Sequence, residues 1–170
     1  MVTKNLDITT NASEIWQHLS EVTDPEIPVL NVVEMGIVRE VRKNSSGTWE
    51  IVITPTYSGC PAMKTIEEDI GEILKEKNIF PFQVITEISP PWTTDWLTDE
   101  AREKLREYGI APPQKGSADK GLIMGKIRNV ACPRCGSEKT AMISQFGSTA
   151  CKSLYRCEEC LEPFDYFKCI

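Results

Sequence analysis

Apolar residues recur along the first hundred positions at two spacings, one helical and one extended, and the switches between them lay out a small set of elements. Ile15, Leu19 and Val22 form a stripe behind Ser13, a residue suited to cap a helix, and the stripe stops before Asp24-Pro25. Ile37 to Val41 and Trp49 to Thr54 read as strands; in the second, Trp49, Ile51 and Ile53 alternate with Glu50, Val52 and Thr54. Asn44-Ser45-Ser46-Gly47 between them carries turn chemistry, so the pair predicts an antiparallel hairpin. From Pro61 onward Ile66, Ile70, Ile73 and Leu74 share one helical face, while Lys64, Glu67, Glu68, Lys75 and Glu76 point elsewhere. Phe82 to Ile88 is a third strand, able to pair parallel to one hairpin member through that helix. A last helix starts at Thr98, places Asp99 and Glu100 in its first turn, turns Ala101, Leu105 and Tyr108 inward and stops at Gly109. The order α-β-β-α-β-α predicts an α+β body, a small three-stranded α/β sandwich.

Charge divides the rest. Residues 1–111 carry 10 Lys/Arg and 19 Asp/Glu, residues 112–129 carry 4 and 1, and residues 130–170 carry 5 of each sign. The middle stretch, opening Pro112-Pro113-Gln114-Lys115-Gly116-Ser117, has no apolar periodicity and reads as a linker between a body at 1–111 and a module at 130–170. With 41% hydrophobic and 26% charged residues over 170 positions, the chain can bury a core. A net charge of -6 has the wrong sign for a general nucleic-acid binder. Met1 to Asn11 are polar and unlike a signal peptide, and no apolar run approaches the ~20 residues that span a membrane. A cytoplasmic protein is expected, bound neither to nucleic acid nor to membrane.

Cysteine usage adds the chemistry. Of seven cysteines, Cys60 alone precedes position 132. Thr54-Pro55-Thr56-Tyr57-Ser58-Gly59-Cys60-Pro61 runs from a strand end into a helix start, and with Pro61 first in the helix Cys60 becomes its cap. Free backbone N–H groups and the helix dipole would then face the sulfur and favour its thiolate. A reactive thiol or transient metal or cluster ligand is one reading, and a tolerated apolar cap is the other. His18 is the single histidine, on the first helix, with nothing to mark it as a base for a cysteine nucleophile. Asp24 and Glu26 either support a thiol or a metal, or simply form the turn that ends the helix. Trp92 and Trp96, in the Pro90-Pro91-Trp92-Thr93-Thr94-Asp95-Trp96 loop, either cover the core or dock a partner.

The tail holds Cys132-Pro133-Arg134-Cys135 and Cys157-Glu158-Glu159-Cys160, two C-x2-C knuckles 21 residues apart. Such spacing lets four sulfurs converge on one ion, and Gly136 permits the left-handed turn after the second sulfur. A 41-residue module with few large apolar residues needs such a staple, so a structural zinc in a small β zinc ribbon is expected. Cys151 and Cys169 are left over, as a further pair or as extra thiol ligands that would favour an iron–sulfur cluster over zinc.

Asp24-Pro25-Glu26-Ile27-Pro28, Met35-Gly36-Ile37-Val38 and the segment from Thr54 to Pro61 together resemble the MIP18/DUF59 domain of Fe–S assembly factors. Pro90-Pro91-Trp92-Thr93 and Thr98-Asp99-Glu100-Ala101-Arg102 continue the pattern. With Phe146-Gly147-Ser148-Thr149 and the segment from Glu162 to Cys169, nearly the whole chain is similar to the PaaD (PaaJ) family of the bacterial phenylacetyl-CoA 1,2-epoxidase system. The resemblance implies a non-catalytic factor of aerobic phenylacetate catabolism that serves the metallocentres of that epoxidase, its di-iron oxygenase or its iron–sulfur reductase. A structural or regulatory member of the epoxidase complex is the alternative it leaves open. It assigns Cys60, Asp24 and Glu26 to iron or cluster transfer, and Cys132, Cys135, Cys157 and Cys160 to metal. The expected partners are epoxidase components, above all the reductase, with monomer and homodimer both open.

Overall fold

In the computed structural model, which describes residues 11–115 and 130–168, Asn11 rather than Ser13 caps the first helix, α1 (Ala12–Leu19). Both residue types cap well, but only Asn11 has a glutamate three positions on. Its side chain accepts the Glu14 N–H at 3.0 Å, and the Glu14 carboxylate accepts the Asn11 N–H at 3.2 Å. Val22, expected on the α1 stripe, is buried from the segment after the helix.

β1 (Val38–Lys43) and β2 (Trp49–Ile53) form the predicted hairpin, with Val41 opposite Ile51. β3 (Phe82–Thr86) runs parallel to β2 and gives the order β1-β2-β3. It stops short of Ile88, which is exposed, because Pro90-Pro91 can donate nothing to a ladder. α2 (Ala62–Glu76) makes the crossover and buries Ile66, Ile70 and Leu74 among Ile51, Ile53, Ile15 and Leu19. Each of these side chains contributes about 1.5–3 kcal/mol. Thr98 caps α3 (Asp99–Tyr108) by accepting the Ala101 N–H at 3.0 Å, and Ala101 and Leu105 are buried. Tyr108 is not turned inward as expected. It shares their side of the helix by angle, but in the last turn it borders an open cleft and is 57% exposed.

The second sheet begins inside the expected body. β4 (Ile110–Ala111) pairs parallel with β7 (Pro163–Phe167), and β5 (Thr140–Ser144) and β6 (Lys152–Cys157) complete the order β4-β7-β6-β5. Tyr155, Phe164 and Tyr166 make a small core of their own with Cys132 and Cys157. Phe167 and Cys151 instead lie buried in the core of the N-terminal sandwich. There the Phe167 ring meets Trp92 edge-on, with centroids 5.9 Å apart. Trp92 is therefore no docking residue: it is 3% exposed, and its Nε1–H donates to the Met35 carbonyl at 2.9 Å. Trp96 stays half-buried under the Arg39 guanidinium, 3.4 Å from its ring centroid. The polar N-terminal run up to position 10, most of the linker (116–129) and Cys169 lie outside the described residues. Among the described residues no helix is long and apolar enough to cross a membrane.

Candidate functional site

The four knuckle cysteines converge. Cys132 and Cys160 sulfurs lie 3.7 Å apart, Cys135 and Cys157 sulfurs 3.6 Å, and all four fall within 4.8 Å of one another. A tetrahedral zinc with Zn–S bonds of about 2.3 Å requires sulfur–sulfur edges of about 3.8 Å, so the donor set fits that ion. Local backbone brings this about. The Gly136 N–H returns to the Cys132 carbonyl at 2.9 Å, with Gly136 at φ +75°. The second knuckle makes the same left-handed turn at Leu161, φ +64°, with no glycine to ease it. The Cys160 N–H donates to the Cys157 sulfur at 3.5 Å, and that backbone donor chiefly holds the Cys157 thiol down to about 7.

A second group of donors lies where the ribbon meets the sandwich. Gly59, at φ +80°, turns the chain after β2 so that Cys60 arrives half-buried just ahead of α2. The helix cap is Pro61, one residue beyond the expected Cys60, and it makes no side-chain capping bond. Instead, the Cys60 N–H donates to the Tyr57 carbonyl at 3.3 Å. Burial first, then the neighbouring Cys60, Glu26 and Cys151 side chains, hold the Tyr57 phenol well above its ordinary range. Asp24 is buried, and one of its oxygens accepts the Glu26 and Ile27 N–H groups at 2.8 Å each. It thereby fixes the turn that presents Glu26, although burial pushes its own carboxyl up against those two bonds.

Glu26 faces the ribbon. Its Oε2 accepts the Cys151 thiol at 3.4 Å, and its carbonyl accepts Lys152 Nζ at 3.3 Å. Thr149 Oγ1 lies 3.0 Å from the Cys151 sulfur, and burial pushes this thiol up to about 12. Asp24 and Glu26 are thus brought to the junction with the ribbon, where Cys151 meets Glu26, while Cys60 packs against the sandwich core. His18 is elsewhere, paired with Glu21 at 3.2 Å. Sequence reasoning missed Tyr57, Thr149 and Lys152. Tyr57, three residues before Cys60 in a glycine turn, was the one with a local signal.

Comparison with known proteins agrees with both halves. Residues 12–77 match the family described as iron–sulfur cluster assembly protein, and residues 117–168 match the PaaD zinc beta ribbon domain. A protein of Escherichia coli (strain K12), named as a candidate component of 1,2-phenylacetyl-CoA epoxidase, is 53% identical over 157 residues, 92% of each chain. The Fe–S protein maturation auxiliary factor SufT of Staphylococcus aureus (strain USA300) is 32% identical over 85 residues, 49% of this chain and 96% of that one. A crystal structure of a DUF59 domain from Bacillus anthracis superposes with a TM-score of 0.51 at 25% identity, covering 55% of this chain and 89% of the other. The chain belongs to the PaaD family, in which a DUF59-type iron–sulfur assembly domain is joined to a four-cysteine zinc β ribbon.

Proposed function

We propose that this chain is a non-catalytic assembly factor for the metallocentres of a multicomponent phenylacetyl-CoA epoxidase, acting in the cytoplasm on the iron–sulfur reductase or the di-iron oxygenase. The observation that carries this reading is Cys60. Its thiol is half-buried rather than sealed, so a cargo ion can reach it. It also lies outside the closed four-cysteine group. A thiolate suits ferrous iron and iron–sulfur clusters as cargo. Asp24 holds the turn and Glu26 offers a carboxylate beside Tyr57. The relatives named as Fe–S maturation factors support the assignment, since they align with part of the chain only.

In this division of labour the ribbon, residues 130–170, holds zinc through Cys132, Cys135, Cys157 and Cys160. The ion supplies a crosslink rather than a reaction, and the ribbon surface, with Trp96 on the sandwich, serves client docking. Cys60→Ser is expected to leave the fold and the zinc in place while co-expressed reductase emerges deficient in its cluster. Normal cluster occupancy would refute the proposal. The name of the Escherichia coli relative, which places it within the epoxidase itself, favours a second reading, a structural member of the complex. That reading predicts stoichiometric co-purification with active epoxidase, indifferent to Cys60.

A further inference from the structure

β4 runs into Pro112-Pro113-Gln114, and this segment borders a cavity of about 530 Å³ that the first cysteine knuckle also lines. Pro112, Pro113, Val130, Pro133 and Tyr166 give the cavity apolar walls. Two guanidinium groups, those of Arg106 and Arg134, border it, and among the described residues no carboxylate does. We propose that this cavity is a binding site for a small amphipathic carboxylate, an aryl or short alkyl acid whose apolar body lies against the prolines and Tyr166 and whose head meets the two arginines. The inference goes beyond the assembly-factor reading and draws on none of Cys60, Asp24 or Glu26.

Three observations carry it. First, the walls are fixed before any ligand arrives. Buried Arg102 donates to the Pro113 carbonyl through Nη1 and to the Thr94 carbonyl through Nη2 at 2.6 Å, which pins the proline segment against α3. The knuckle wall is held by the turn that returns the Gly136 N–H to the Cys132 carbonyl, and buried Tyr166 meets Tyr155 edge-on with centroids 5.8 Å apart. A site ordered beforehand has little conformational freedom left to lose on binding. Second, the two cations gather at one end of α3. Arg106 lies in its last turn, and Arg134 Nη2 lies 3.9 Å from where a Cβ on Gly109, the cap of the same helix, would stand. Arg106 engages Glu103 through Nε and Nη2, which leaves Nη1 for an anion at the rim. Arg134 makes no ion pair among the described residues. Third, the volume falls within the ~300–1,000 Å³ of small-molecule sites, and mostly apolar walls with a few polar groups are the composition such sites share.

The two features together select the ligand. A planar guanidinium presents paired N–H donors that match a carboxylate. An ion without an apolar body, such as inorganic phosphate, would leave the prolines and Tyr166 uncovered. The Arg106 side chain is 53% exposed, so salt screens the attraction for the head group but not the burial of the body.

The test uses the full chain with its zinc in place, titrated calorimetrically with phenylacetate, hexanoate, neutral phenylacetamide, phenyl phosphate and inorganic phosphate. The expected result is one site for phenylacetate or hexanoate with a dissociation constant at or below about 1 mM, and phenylacetamide weaker by about tenfold or more. Arg106→Gln and Arg134→Gln should each weaken the acid about tenfold. Ala131→Trp, which fills the cavity from an exposed position on its wall, should abolish binding while leaving both arginines in place. Zinc content and thermal unfolding serve as controls for every variant, and Arg106→Gln, outside the knuckle, decides the matter if Arg134→Gln loses zinc. No heat from either acid at roughly ten times that concentration overturns the proposal, as does binding that Ala131→Trp leaves intact. Equal binding of acid and amide, arginine variants that bind like wild type, or either phosphate binding more tightly than the acids refutes the carboxylate site. Cluster occupancy in the Cys60→Ser co-expression is untouched by any of these results, so the two readings fail separately.

Discussion

Phe167→Ala tests whether sandwich and ribbon hold one another in place. Phe167 is fully buried, and it packs among sandwich residues, including Trp92, although β7 belongs to the ribbon sheet. Truncating a buried phenylalanine costs about 3–5 kcal/mol through lost burial and the cavity left behind. The edge-on contact with Trp92 accounts for about 0.5–1.5 kcal/mol of that. For a chain of this size 1 kcal/mol moves the melting temperature by about 2–4 °C, so the variant should melt roughly 6–20 °C below wild type. Because Trp92 lies at the contact, its near-ultraviolet circular dichroism should weaken even below the transition. The assay is thermal unfolding followed at that band and in the far ultraviolet. A double-mutant cycle with Trp92→Leu then isolates the pair. A loss under about 1 kcal/mol with the Trp92 signal unchanged, well below the cost of truncating a packed phenylalanine, would mean that the halves fold independently. Cys151 would then have no fixed position against Glu26.

Cys132→Ser should reduce the zinc content of purified protein from one ion to none and expose β5, β6 and β7 to amide exchange, because metal binding and folding are linked in so small a module. Asp24→Ala should cost about 1–3 kcal/mol in urea unfolding, since the Glu26 and Ile27 N–H groups lose their acceptor, whereas Asp24→Asn keeps an oxygen there and should stay close to wild type. Leu161→Gly should raise ribbon stability by about 1 kcal/mol, read as a later loss of zinc to chelator on a denaturant gradient, because glycine removes the left-handed penalty at φ +64°.

Elements with a long period were legible in the sequence. The hairpin, the parallel third strand and the two longer helices follow from runs of apolar residues that pair or pack locally. The four knuckle cysteines were legible too, since a C-x2-C spacing allows little besides convergence on an ion. What escaped was whatever depends on the two halves meeting. β4 is two residues long and has no period, so nothing in Ile110-Ala111 points to a partner 55 residues away. Trp92 reads as a candidate docking residue because its cover, Phe167, arrives from the far end of the chain. Asn11 and Ser13 compete for the cap two positions apart, and only the reciprocal Glu14 decides between them. Cys151 was legible as a surplus thiol but not as a neighbour of Glu26, for the same reason as Trp92.

The placement of Cys151 ties the structural ion to the contact with Glu26 without touching it. β6 begins one residue after the junction thiol and ends on Cys157, a knuckle ligand. It is also bonded on both sides, to β5 and to β7. Fixing Cys157 on an ion therefore fixes the register of the strand. That register in turn decides whether Cys151 and Lys152 reach Glu26, because a slip of one residue would turn every side chain to the opposite face. A ribbon without its ion would still carry Cys151 but would not hold it at the carboxylate. The consequence is directional: removing the knuckle metal should open the buried Cys151 thiol to a thiol reagent, whereas Glu26→Gln should leave zinc in the ribbon. A Cys151 thiol that stayed protected in Cys132→Ser would show that the sandwich seats it without help from the knuckle metal, and that the strand only connects the two.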